Sequence, residues 1–319
     1  MSEVDRVPVL VYDDGTANGV VAMERAIEVA SRILLVVAHR SPNHTPNVVL
    51  ADEHGIPVLV EHLPAHSGIR HALQHGADND LHVAFVPHPG QHPGEYLRKI
   101  IQAAADAETA GVPVLAVDVV HPDATTNGPV LELDPAHSDA GFAALFAAGL
   151  AGSLHTGLHL LRLAGDRTDA DVRAADALQQ ARQLVADNDI AVYDHPTDSD
   201  PIETALHYTE GSSAVVMGLG GFTVRGRKLS APDELPNAVL ETPDGHLAHR
   251  LLEQADTDVV IVLDAIEIHH GRLAHAAAVT AAVGAITAGT LTAGVVGLAA
   301  TTGAVAVAGV AARGTQRSD

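Results

Sequence analysis

The chain has 319 residues, enough for two domains of ordinary size. Its formal charge of −22, with only two lysines (Lys99 and Lys228), repels DNA and anionic head groups and argues against a nucleic-acid partner. It has no cysteine, which excludes disulfides and thiolate chemistry, and no tryptophan, so the core must be built from Val, Leu, Ile and Ala.

The elements repeat. VPVLVY (7–12) is the first strand, with no apolar run ahead of it that would suggest a signal peptide. Thr16 or Asn18 can cap a helix over 19–31, whose Val21, Ala22, Ala26 and Val29 share a face. ILLVVAH (33–39) is the second strand, and a polar loop with Pro42, Asn43, Pro46 and Asn47 follows. PVLVEH (57–62), a helix over 67–76, HVAFVP (82–87), a helix over 95–109 and PVLAVDV (113–119) complete the first unit. HPDATTNG (121–128) reads as a linker. The second unit runs PVLEL (129–133), helix 138–152, GLHLLRLAG (157–165), helix 169–187, IAVYDH (190–195), helix 200–210, SAVVMG (213–218), helix 246–255 and DVVIVLD (258–264). Strands and helices alternating at this spacing predict an α/β fold: two tandem Rossmann-like parallel sheets of five strands, flanked by helices and related by a pseudo-two-fold axis. The expected domains are 1–122 and 128–266.

Residues 273–312 contain no Asp, Glu, Lys or Arg. The run is long enough for an apolar helical hairpin, and Gly284, Gly289, Gly294, Gly297, Gly303 and Gly309 would let its helices approach closely. Arg272 before it and Arg313 and Arg317 after it fit a membrane anchor with both ends cytoplasmic. A hairpin packed on the domains or on a second subunit is the rival reading.

Several residues suggest ligand chemistry. Asp14 and Asp134 stand at strand ends, where a parallel sheet presents its ligand edge; they can accept from a ribose hydroxyl or an adenine amine, or cap the following helix. Gly218 and Gly221 form a glycine loop that can bring backbone N–H groups to a phosphate, or simply a tight turn out of a buried strand. Arg225, Arg227 and Lys228 form an acid-free basic cluster, read either as a lid over a polyphosphate or as a solvated or dimer-contact loop. Among 21 histidines, His88 and His92 flank a turn, and Glu267, His269, His270 and His275 cluster before the tail. None makes a helical His pair with an acidic partner, so no metal site is expected.

The motifs and their order resemble the universal stress protein family over roughly residues 6–265. Asp14-Gly15-Thr16 matches its strand-end Asp-Gly-Ser/Thr, AVVMGLGG (214–221) its fourth strand and nucleotide loop, and GHLAHRLLEQADTDVVIV (245–262) its last helix and strand. The family's loop ends in Gly-Ser/Thr; here Gly245-His246 takes that place after 23 intervening residues, with His for the hydroxyl. The resemblance implies a non-catalytic stress or regulatory protein, with at most weak ATP hydrolysis, binding ATP or a related adenine nucleotide in its second unit. The implied site is Asp134, Gly218, Gly221, Arg225, Arg227, Lys228, Gly245 and His246, with Asp14, Gly15 and Thr16 as weaker members. The tail would hold it at the cytoplasmic face of the membrane, or the protein is cytoplasmic. The alternative is a nucleotide-independent scaffold or self-assembly module, forming a homodimer or regulating a membrane transporter.

Overall fold

The computed structural model describes residues 7–39, 44–109, 114–124, 127–134, 141–163, 179, 190–194, 200–219 and 235–264. The first half comprises β1 (Val7–Asp13), α1 (Ala17–Val29), β2 (Ala30–Val37), α2 (Thr45–Glu53), β3 (Val58–His62), α3 (Ile69–Asp78), β4 (Val83–Pro87), α4 (Pro93–Thr109) and β5 (Val114–Val120). The second comprises β6 (Val130–Asp134), α5 (Gly141–Ser153), β7 (Leu158–Arg162), β8 (Ile190–Asp194), α6 (Pro201–Thr209), β9 (Ala214–Leu219), α7 (Leu235–Leu240), α8 (Pro243–Gln254) and β10 (Asp258–Asp264). The helix expected over 169–187 and the apolar run 273–312 lie outside the described residues, apart from Gln179.

The strand order is β3-β2-β1-β4-β5-β10-β9-β6-β7-β8. Each half is parallel and has the same internal order, as the matched strand spacing predicts. The halves are not separate sheets, however: β5 and β10 pair antiparallel, Val117 opposite Ile261, and fuse them into one ten-stranded sheet. Neither β5 nor β10 is left as an open edge, and apolar strands with open edges invite unwanted pairing. An approximate two-fold axis normal to the sheet therefore passes through this seam. The closing helix–strand segments of the two halves, α4–β5 and α8–β10, meet there, and α4 crosses α8 so closely that a Cβ on Gly94 would lie 3.2 Å from His249 Nε2.

Helices cover both faces. Leu73, Leu97, Ala205 and Leu247, from α3, α4, α6 and α8, share a core with Leu10, Val117, Val215 and Ile261 that crosses the seam uninterrupted. On the other face α1 and α2 bury Met23 and Ala51, and α5 buries Ala143 and Ala147. Helix α2 corrects the expected polar loop: Pro46, read as a breaker, sits in the first turn, where a missing N–H costs nothing.

Candidate functional site

In each half the strand order reverses between its first and fourth strands, and ligands of open α/β sheets bind at such points beyond the carboxyl ends. In the first half this is the gap between β1 and β4, paired through Val11 and Phe85. In the second it lies between β6 and β9, where Leu133 faces Met217. The register therefore puts Asp134 and Gly218 in neighbouring positions at the second switch point.

The first-half edge is acidic. β1 ends on Asp13, which is buried; its Oδ1 accepts the Gly15 N–H at 2.7 Å and its Oδ2 the Asn47 side-chain amide at 2.9 Å. Burial pushes the Asp13 carboxyl up, although both hydrogen bonds pull it down. A Cβ on Gly19 would come within 2.9 Å of Asp13 Oδ1, so α1 can start this close only with glycine there. Asp14, the aspartate expected to meet a ligand, has Oδ1 engaged in the turn: it accepts from the Thr16 N–H at 2.9 Å and the Thr16 hydroxyl at 2.6 Å. Gly15 makes that turn with φ +83°. Thr16 is the N-cap residue of α1 by backbone position, without a capping bond from its side chain. Tyr12 lies just behind, its phenol pushed to about 12 by burial and then by Asp14 and Asp13. His88, after β4, is held neutral: the Gly90 N–H donates to its Nδ1 at 3.1 Å, so its Nε2–H donates to the Leu252 carbonyl at 2.7 Å. Burial lowers its basicity. An edge of carboxylates, phenol and neutral imidazole suits a ligand that donates hydrogen bonds better than a polyphosphate.

In the second half, Gly218 lies inside β9, paired with Val262. Gly245 and His246 lie in the first turn of α8. Gly245 donates its N–H to Thr242 Oγ1 at 3.0 Å, and His246 donates its own to the Thr242 carbonyl at 3.0 Å. A Cβ on Gly245 would stand 2.1 Å from the Val239 carbonyl oxygen, so this glycine allows α7 to pack on α8. Both amides are thus used by the helix's own cap. Gly221, Arg225, Arg227, Lys228 and the side chain of Asp134 lie outside the described residues. No group of three or more metal-ligating side chains forms among the described residues.

No family model matches the sequence, and no curated protein does. Solved structures match it at the level of architecture. A functionally unknown protein from Pseudomonas aeruginosa PAO1 is 17% identical, covering 81% of this chain and 92% of its own, with a TM-score of 0.52. A universal stress protein from Archaeoglobus fulgidus DSM 4304 is 14% identical, covering 81% and 96%, with a TM-score of 0.51. The fold is that of universal stress proteins. Within it, sequence reasoning missed Asp13 and Asn47, because of two adjacent aspartates nothing local says which one turns inward. It also missed Arg25, Asp118 and Asp258, although an aspartate inside an apolar strand such as VLAVDVV is itself a signal.

Proposed function

We propose that this protein is a non-catalytic, nucleotide-binding regulatory protein built from two universal-stress-like domains, 1–122 and 128–266, with one adenine nucleotide held by the second. The observation that carries this reading is the register at the second switch point, which sets Asp134 beside Gly218 on the ligand edge of the sheet. The basic run Arg225, Arg227 and Lys228 follows β9 directly in sequence and supplies the positive charge that the acidic first-half edge lacks. Because Gly245 and His246 already use their amides in the α8 cap, phosphate is assigned to the basic run and not to that helix start. Replacing Arg225, Arg227 and Lys228 together with serine should then weaken ATP far more than adenosine, since each good charge-assisted contact contributes about 1.5–3 kcal/mol. Competition binding with the two ligands checks this; unchanged discrimination means the run serves another purpose.

The same capped amides favour a second reading, a nucleotide-independent scaffold that self-associates or regulates a membrane transporter. The two readings share one further proposal, that residues 273–312 tether the protein to the cytoplasmic face of a membrane. The basis is compositional: an uncharged run this long would expose a large apolar surface in water. No helix among the described residues is long and apolar enough to cross a membrane. Carbonate extraction should leave the full chain in the membrane pellet and release a 1–266 truncation. Equal release of both assigns the tail to packing.

A further inference from the structure

We propose that the seam between the halves is a proton-dependent clamp: Asp118 of β5 and Asp258 of β10 share one counter-charge, Arg25, so the halves hold together with a proton on Asp118 and loosen when it leaves. Both carboxylates lie on the α1 side of the sheet, Asp118 opposite Val260 and Asp258 two residues before it. Arg25 Nε of α1 is 3.0 Å from Asp258 Oδ2, and these side chains are 12% and 5% exposed. Arg25 also donates to the Ala124 carbonyl at 3.1 Å, and Asp258 Oδ1 accepts the His121 N–H at 2.8 Å. Asp258 therefore has both an ion pair and a hydrogen bond. Asp118 is buried, and its Oδ1 has no hydrogen-bond partner.

The charged groups facing Asp118 are Asp258 from β10 and Arg25 and Glu28 from α1; β4 presents Phe85, and α5 adds alanines around neighbouring Ala116 and Val260. Three carboxyls surround one guanidinium. A second unpaired charge in this setting is strongly opposed by desolvation and by its like-charged neighbour. Burial, then Asp258, pushes Asp118 well above the usual range, and burial lifts Asp258 to about 6 despite Arg25. Strand pairing does not require the acid. On the other side of the central Val117–Ile261 pair, the matching positions are Ala116 and Val262, both buried.

The sign follows from the raised folded-state value. Above the usual aspartate range the unfolded chain has lost this proton while the folded chain keeps it. Rising pH therefore erodes stability, up to about tenfold in the equilibrium constant per pH unit for each proton, until the folded carboxyl ionises. Acidification tightens the joint.

Hydrogen exchange of the full chain between about pH 5 and pH 8, corrected for the intrinsic base-catalysed rate, tests this. Protection of the β5–β10 amides should fall by up to about tenfold per pH unit relative to the β1–β2 amides, and Asp118→Asn should remove that dependence above about pH 7, where Asp258 has already lost its proton. A wild-type seam whose protection does not change with pH relative to β1–β2, or a variant that keeps the slope in that range, overturns the proposal. Should Asp118→Asn not fold, carboxyl carbon NMR of the wild-type chain decides: one aspartate still protonated at neutral pH supports the clamp, and all aspartates ionised overturns it.

Discussion

Arg25→Met should cost about 3–5 kcal/mol at neutral pH, because it leaves the buried Asp258 carboxylate without its cation. Arg25 is almost fully enclosed and pairs with Asp258 across the two halves, so water cannot replace it. The pH dependence distinguishes charge from packing. Without the guanidinium, Asp118 and Asp258 stay neutral to still higher pH in the folded chain, while the unfolded chain titrates normally. The loss must therefore shrink as pH falls towards about 5. Urea denaturation of wild type and variant at both pH values measures it. An equal loss at both would mean that Arg25 acts through its aliphatic stem alone.

Gly245→Ala should lower stability by about 1–3 kcal/mol, the usual penalty for forcing extra volume into a packed site. The added carbon would meet backbone, 2.1 Å from the Val239 carbonyl oxygen and 2.8 Å from Leu240 Cα, so no rotamer change relieves it and α7 must move off α8. Gly90→Ala is the contrast. At φ +64° it carries only the left-handed penalty, about 1–2 kcal/mol, and nothing stands within 4 Å of the new methyl. Thermal unfolding of the two variants compares them. If Gly245→Ala unfolds like wild type, α7 does not rest on α8 as described.

Strand identity was legible because buried parallel strands are written as continuous aliphatic runs; VPVLVY, ILLVVAH and DVVIVLD each became a strand within a few residues of the expected ends. Helix starts were legible where a cap and a proline coincide. Asp200-Pro201 opens α6, with the Ile202 N–H donating to Asp200 at 2.8 Å. Helix α2 escaped because its first turn is made of the same Thr, Pro and Asn that mark loops. The seam was not legible. Nothing in β5 or β10 alone specifies an antiparallel partner, since pairing across an approximate two-fold is a property of two edges meeting and not of either strand's pattern. The site was half legible: sequence spacing found the carboxyl edge, and register then brought Asp134 and Gly218 together. It could not show that Gly245 is needed for helix packing, which depends on a contact with Val239, six residues earlier in the chain.

Calorimetric titration of the full chain with ATP is the most direct test of the central claim that the second half holds an adenine nucleotide. The account predicts one ATP per chain, lost on Gly218→Val in a variant that keeps its circular dichroism, and retained on Gly90→Ala. No binding by the folded wild-type chain, or two equal sites of which one is lost on Gly90→Ala, would contradict it.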